Sequence, residues 1–341
     1  MSQEFQNIII RMPNWLGDAT MATPVITDVR HRWPKANLTA MCQGGGICAL
    51  LRGNPYLDEI FVFSRPNGFL RREQHRNLIT RLRQGKYDLG ILLPNSLSSA
   101  WWFWRGHVKT RIGFATDFRK FLLNEPVPLT KELGKEHLVT TYKRLLQPLG
   151  IPLSTTAPTL YVTEEERQAA KQLLAEQKIP EGASIVGINP GAAYGSAKCW
   201  LPERFRAVIE KLAKRPNTYI LCFADHVGAP LVNGICEGMP PSVINLAGAT
   251  SLRELIALIE RCTVFLTNDS GPMHIASALN VPLVALFGST NEIATGPYEH
   301  GDIIHKHVEC SPCLKRVCPI DFRCMKRIEV EEVYEALVKY L

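Results

Sequence analysis

No run of apolar residues approaches the roughly eighteen that a membrane-spanning helix needs. No G-x-x-x-x-G-K-[ST] loop occurs, so a P-loop nucleotidase is not expected. The opening residues, Met1-Ser2-Gln3-Glu4-Phe5-Gln6, lack the basic-then-apolar pattern of an export signal. The chain is therefore expected in the cytoplasm, where its ten cysteines read as thiols or metal ligands and not as disulfides. No short-period repeat and no low-complexity stretch occurs, which sets aside solenoids and disordered arms. Acids are scarce in one place: from Arg65 to Lys120, twelve Lys or Arg stand against Glu73, Asp88 and Asp117. That stretch is +9 where the whole chain is +7, so the remainder is −2. Such a patch suits an anionic partner, whether nucleic acid, acidic lipid or phosphorylated sugar.

What the chain has is alternation. At 341 residues, 46% hydrophobic and 21% charged, it is long enough for two globular domains. In the first half, 8–12, 38–42, 59–63 and 89–93 read as strands, with helices over 18–33, 47–52, 72–84 and 96–105. A helix over 136–149 closes this half, and Gly150 to Pro158 reads as a linker. Thr163 then caps a new helix, with Glu166 completing a capping box. In the second half, strands fit 185–189, 219–223, 242–245, 264–267 and 283–287. Helices fit 202–214, 227–238, 252–261, 272–280 and 329–339. The pattern predicts an α/β fold with parallel sheets, divided into domains 1–158 and 159–328. The last helix, 329–341, is expected to pack back toward the N-terminal domain.

Three loops follow strands and open helices: Pro13-Asn14-Trp15-Leu16-Gly17-Asp18, Pro190 to Pro202, and Thr267-Asn268-Asp269-Ser270-Gly271-Pro272-Met273-His274. A helix N-terminus offers free N–H donors and partial positive charge, a setting for a pyrophosphate. Asp269 and Ser270 also suit an ordinary helix cap. Asp18 is either a general base or a cap, and position alone does not decide. Lys198 is either a cation for a departing diphosphate or a surface lysine. His274, one turn beyond Asp269, either bonds a phosphate or sugar hydroxyl or serves the structure.

Together the three loops, in this order and separation, resemble the ADP-heptose:lipopolysaccharide heptosyltransferases, specifically the type II group, over nearly the whole chain. The resemblance implies the GT-B fold, with two doubly wound Rossmann-like domains facing across a cleft. It implies an inverting transfer of L-glycero-D-manno-heptose from ADP-heptose to the first heptose of the lipopolysaccharide inner core. Asp18 would be the base, and Lys198 would meet the leaving diphosphate without a cofactor. Asp269, Ser270, Gly271, His274 and Thr290 would complete the donor site. Asp225 would reach the ribose, although Ala224-Asp225-His226-Val227-Gly228 departs from the glycine turn expected there. Asn14, Asn95, Ser96, Arg105 and Lys109 would hold a phosphorylated Kdo-lipid A core acceptor, with peripheral contact at the inner face of the inner membrane. Two other readings stay open: a GT-B enzyme with another acceptor or an epimerase activity, and a non-catalytic lipid- or nucleotide-binding module.

Further stretches need separate readings. Gly44-Gly45-Gly46-Ile47-Cys48-Ala49 fits a dinucleotide fingerprint, but the next strand ends in Ser64-Arg65 with no acid, so the glycines read as a turn. Trp101-Trp102-Phe103-Trp104 suits a buried helix, a lipid interface or single-stranded nucleic acid. No RNA-binding motif accompanies it, so acceptor lipid is preferred and nucleic acid is not expected. Cys310, Cys313, Cys318 and Cys324 form a C-x2-C-x4-C-x5-C array. Four thiolates can close a tetrahedron around zinc. Such a metal would be structural and remote from the chemistry.

Overall fold

The computed structural model describes residues 4–66, 71–129 and 135–341. The chain forms two compact units, residues 1–160 and 161–341.

In the first unit six parallel strands are ordered β3-β2-β1-β4-β5-β6. They are β1 (Asn7–Arg11), β2 (Asn37–Gln43), β3 (Glu59–Phe63), β4 (Leu89–Leu92), β5 (Thr110–Phe114) and β6 (Glu125–Val127). Ile8, Ile9 and Ile10 are all fully buried, as a central strand covered by helices on both faces requires. β5 and β6 were not legible in the sequence. β6 is a three-residue edge strand containing Pro126, which only an edge tolerates.

The helix expected over 18–33 is two helices, Leu16–Met21 and Thr23–Arg32. Pro24 has no N–H to continue the first helix, and the Thr23 hydroxyl donates to the Thr20 carbonyl instead, at 2.8 Å. The three glycines are not a turn. Gly44, at φ +74°, opens the helix Gly44–Leu50 directly after β2. The predicted linker is strapped to the first unit: buried Asp28 accepts from the hydroxyls of Ser154 and Thr156, each at 2.7 Å.

The second unit repeats the plan. Its strands are β7 (Ser184–Asn189), β8 (Thr218–Cys222), β9 (Val243–Asn245), β10 (Val264–Asn268), β11 (Leu283–Phe287) and β12 (Asp302–His305), ordered β12-β11-β10-β7-β8-β9, all parallel. Read outward from its first strand, each sheet has the 3-2-1-4-5-6 order of a dinucleotide-binding fold. The predicted capping box is present: Thr163 Oγ1 accepts from Glu166 N and Glu166 Oε2 from Thr163 N.

The last helix, Val330–Val338, packs within the second unit against the helix Pro202–Leu212 and β11. Val333 and Leu337 are fully buried in that unit's core. The apolar face of this helix is used within that unit. No helix of the described residues is long and apolar enough to cross a membrane.

Candidate active site

A doubly wound sheet places its ligand where neighbouring strands send their chains in opposite directions, at their carboxyl ends. In the first unit that point lies between β1 and β4. The loops that follow these strands carry Asn14 and Asn95. They border a cavity of about 240 Å3 lined also by Trp15, Asp18, Thr141 and Tyr142. Asp18 is not a cap: Trp15 holds the N-cap position, and Asp18 lies in the first turn, half-buried. Burial, and then the negative charge of Asp18, push the Tyr142 phenol well above its usual pKa. Tyr142 therefore stays protonated and can donate.

Two buried arginines brace residues that line this cavity, and sequence reasoning missed both. Arg11 donates to Asn14 Oδ1 at 2.6 Å and to the Met12 carbonyl. Arg119, with no exposed surface, donates to Phe114 O at 2.8 Å, to Pro94 O, and to Asn95 Oδ1 at 3.4 Å. Burial lowers each guanidinium to about 10, which leaves both charged at neutral pH. A guanidinium only donates, so it occupies the amide oxygen of each asparagine and leaves the NH2 for the cavity.

Other predicted acceptor residues are not gathered here. Ser96 caps the helix Leu97–Arg105. Arg105 ends that helix, which runs back toward the amino edge of the sheet. Lys109, just before β5, pairs with Asp88, just before β4, at 2.7 Å. Arg105 and Lys109 thus belong to the edge opposite Asp18. The aromatic run divides: Trp102 is buried and donates to His75 Nδ1 at 3.1 Å, whereas Trp104 is 46% exposed. The basic stretch is also partly structural, since Arg81, Arg83 and Arg111 bond backbone carbonyls.

In the second unit the corresponding point lies between β7 and β10. Lys198, on the loop after β7, meets Asp269 Oδ2 at 2.6 Å. Thr290, on the loop after β11, donates to the same oxygen at 2.6 Å. Asp269 is 3% exposed, so this one carboxylate joins three loops from below. Asn268 reinforces them, accepting from Trp200 N at 2.9 Å and donating to Pro190 O at 2.6 Å. Trp200 itself is core and donates to Ile328 O.

Ser270 is the N-cap residue of the helix Gly271–Ala278, yet its side chain caps nothing. Its hydroxyl instead contacts Thr267 Oγ1 at 3.0 Å. The first turn beyond Gly271 is left without a side-chain cap, as an anion site at a helix N-terminus requires. His274 is buried in this helix. Asp225 is exposed and accepts from Gly228 N at 2.7 Å, bracing its own loop.

The four cysteines of the array lie near enough to one another for Cys310, Cys313 and Cys318 to act electrostatically on Cys324. Cys310 is exposed and Cys324 is buried in the core. Among the described residues, the one set of three metal-ligating side chains with ligand atoms within 4.8 Å is Glu292, His305 and His307, which contains no cysteine. Nor is the segment remote from the lysine loop. Ala197 N–H donates to Arg316 O at 3.0 Å, and Tyr194 Oη donates to Leu314 O at 2.9 Å. Tyr194 lies between two cations, with Lys198 Nζ 4.9 Å and the Arg316 guanidinium 5.2 Å from its ring centre. Gly195 has φ +155°, and a Cβ there would stand 2.3 Å from Arg316 O. Only glycine fits so close to another backbone. Tyr194 and Arg316 were missed because nothing local in the sequence pairs them.

The chain is 30% identical to lipooligosaccharide heptosyltransferase 2 of Haemophilus influenzae over 319 residues, 89% of each chain. It is 29% identical to lipopolysaccharide heptosyltransferase 2 of Salmonella typhimurium, over 86% of each. The solved ADP-heptose lipopolysaccharide heptosyltransferase II of Escherichia coli superposes with a TM-score of 0.83 at 26% identity, over 98% of both chains. The GT-B fold expected from the resemblance is therefore the fold of this chain. Residues 75–322 match the family model of glycosyltransferase family 9 (heptosyltransferase), and the chain belongs to that family.

Proposed function

We propose that this enzyme moves L-glycero-D-manno-heptose from ADP-heptose onto the first heptose of the lipopolysaccharide inner core, inverting the anomeric centre. The observation that carries this reading is the similarity to heptosyltransferase 2 proteins along nearly the whole chain. It is joined by a carboxylate and a lysine at the two strand-order reversals. Asp18 takes the proton from the acceptor hydroxyl as that oxygen attacks C1 of the heptose. The bond from C1 to the diphosphate breaks, and ADP leaves with both electrons. Lys198 and the uncapped helix end at Gly271 meet the charge that develops on the diphosphate, so the chemistry asks for no cofactor. Asp269 and Thr290 hold Lys198 and the loops in register. A single displacement from the face opposite the leaving group gives inversion.

The acceptor's lipid end is assigned to the face beside Trp104. There a cavity of about 550 Å3 is lined by Leu97, Trp101, Trp104 and Phe121. Phe118 is 93% and Phe121 77% exposed. Arg71, Arg72, Arg76 and Lys120 stand exposed in the adjoining segments. Aromatic rings beside cations suit an anionic membrane surface, which supports a peripheral position at the cytoplasmic side of the inner membrane.

The test is mass spectrometry of the product from ADP-heptose and a core acceptor ending in one heptose. A mass gain of one heptose is expected. Asp18→Asn should lower turnover about a hundredfold or more while ADP affinity stays within about twofold. Transfer by Asp18→Asn at the native rate would remove Asp18 as the base.

A further inference from the structure

One buried histidine away from the lysine and aspartate poses a bonding problem. His305 ends β12, and its side chain is 2% exposed. Its Nε2 lies 2.7 Å from Ser311 Oγ. Ser311 has a single proton, and that proton goes to the Gly288 carbonyl, which can only accept. Ser311 must then accept from Nε2–H. Neutral His305 is left with a bare lone pair on Nδ1, and that atom makes no hydrogen bond. Facing it at 2.9 Å is Glu292 Oε2, a carboxylate oxygen that likewise has no proton to give. Two acceptors held this close need something positive shared between them. A third donor atom is at hand: His307 Nε2 lies 3.7 Å from Glu292 Oε1, and the two imidazole rings are 4.2 Å apart.

We propose that Glu292, His305 and His307 bind one divalent transition-metal ion of the zinc type, with water completing the coordination. Two imidazoles and a carboxylate are a donor set that zinc accepts, and harder cations such as magnesium favour all-oxygen sites. Ligands about 2.0–2.1 Å from a tetrahedral zinc stand about 3.3 Å apart. The ligand atoms here already lie within 4.8 Å of one another, so small side-chain adjustments close the set. A proton on Nδ1 would also separate the two acceptors, but it leaves His307 without a role. The ion would act as a brace. Glu292 lies two residues beyond Thr290, so the metal ties the loop that bonds Asp269 to the edge strand of the sheet. It is a separate site from the cysteine array, and it does not rest on the transfer reading.

The test uses the full chain with Cys310→Ser and Cys313→Ser, so that thiolates cannot hold the metal. The protein is stripped with chelator and titrated calorimetrically with zinc chloride. One equivalent should bind and raise Tm. His307, whose side chain is 70% exposed, can be changed without disturbing the core. His307→Ala and Glu292→Gln should each weaken zinc binding at least about tenfold, since even outer-shell losses cost that much. Cobalt in the same Cys310→Ser, Cys313→Ser chain should give tetrahedral d–d bands without a thiolate charge-transfer band. Absence of zinc binding, equal affinity in both variants, or a thiolate band would each overturn the proposal.

Discussion

Asp269 is buried under the residues it serves, and its Oδ2 alone takes both Lys198 and Thr290. If it works through Lys198, the two positions act as a unit. Lys198→Ala should weaken ADP binding and slow transfer by more than the binding loss explains. Asp269→Asn should lower kcat/KM by about tenfold or more, consistent with loss of a charge-assisted bond of roughly 1.5–3 kcal/mol. The double variant should be no slower than Lys198→Ala alone. Steady-state kinetics with calorimetry decides, and additive losses would show independent roles. Much of this site was legible, because Lys198 and the Asp269 to His274 stretch sit on loops that follow apolar runs. That Asp269 faces Lys198 was not, because it depends on β7 lying next to β10, a fact of topology. Arg11 and Arg119 were illegible for another reason. A buried arginine that bonds carbonyls has the same letter as one in a solvated patch, and Arg119 lies inside the most basic stretch of the chain.

At the scale of elements, Asp28 shows how a linker is held. Its two oxygens take Ser154 and Thr156, and Thr159 N–H adds a bond to Thr23 Oγ1 at 3.1 Å. Asp28→Ala should cost about 2 kcal/mol, measured by urea denaturation, because two bonds to a buried carboxylate vanish. A change under about 0.5 kcal/mol would mean that water replaces both at no loss. The central strands of both sheets were readable from apolar runs. The outer strands β6 and β12 were not, being three and four residues long and carrying Pro126 or flanking polar residues. Pro and short length are what edge strands use to resist pairing with another chain, and they also erase the strand signal. The cysteine array runs from surface to core, with Cys324 fixed in a helix against the core and Cys310 in an exposed turn.

For the whole molecule, the exposed rings and cations of the first unit predict an association that the sheets do not need. The protein should sediment with vesicles containing anionic lipid at low salt and be released at high salt, since screening shortens the reach of surface charge. Trp104→Ala with Phe121→Ala should weaken that binding about tenfold, equivalent to roughly 1.4 kcal/mol of lost apolar burial. Equal sedimentation of the double variant would assign the association to charge alone. The contact of Gly195 with the Arg316 carbonyl has a consequence in time. Leu314, which receives the Tyr194 hydroxyl, is made 120 positions after it. At a ribosome's pace that interval is on the order of ten seconds. Through it the emerging lysine loop has no backbone against Gly195, and later strands have yet to join the sheet. A nascent chain halted before residue 310 should therefore retain no ADP although Lys198, Asp269 and Thr290 have all been translated, so the grip on the nucleotide waits on a segment made well after the residues that form it.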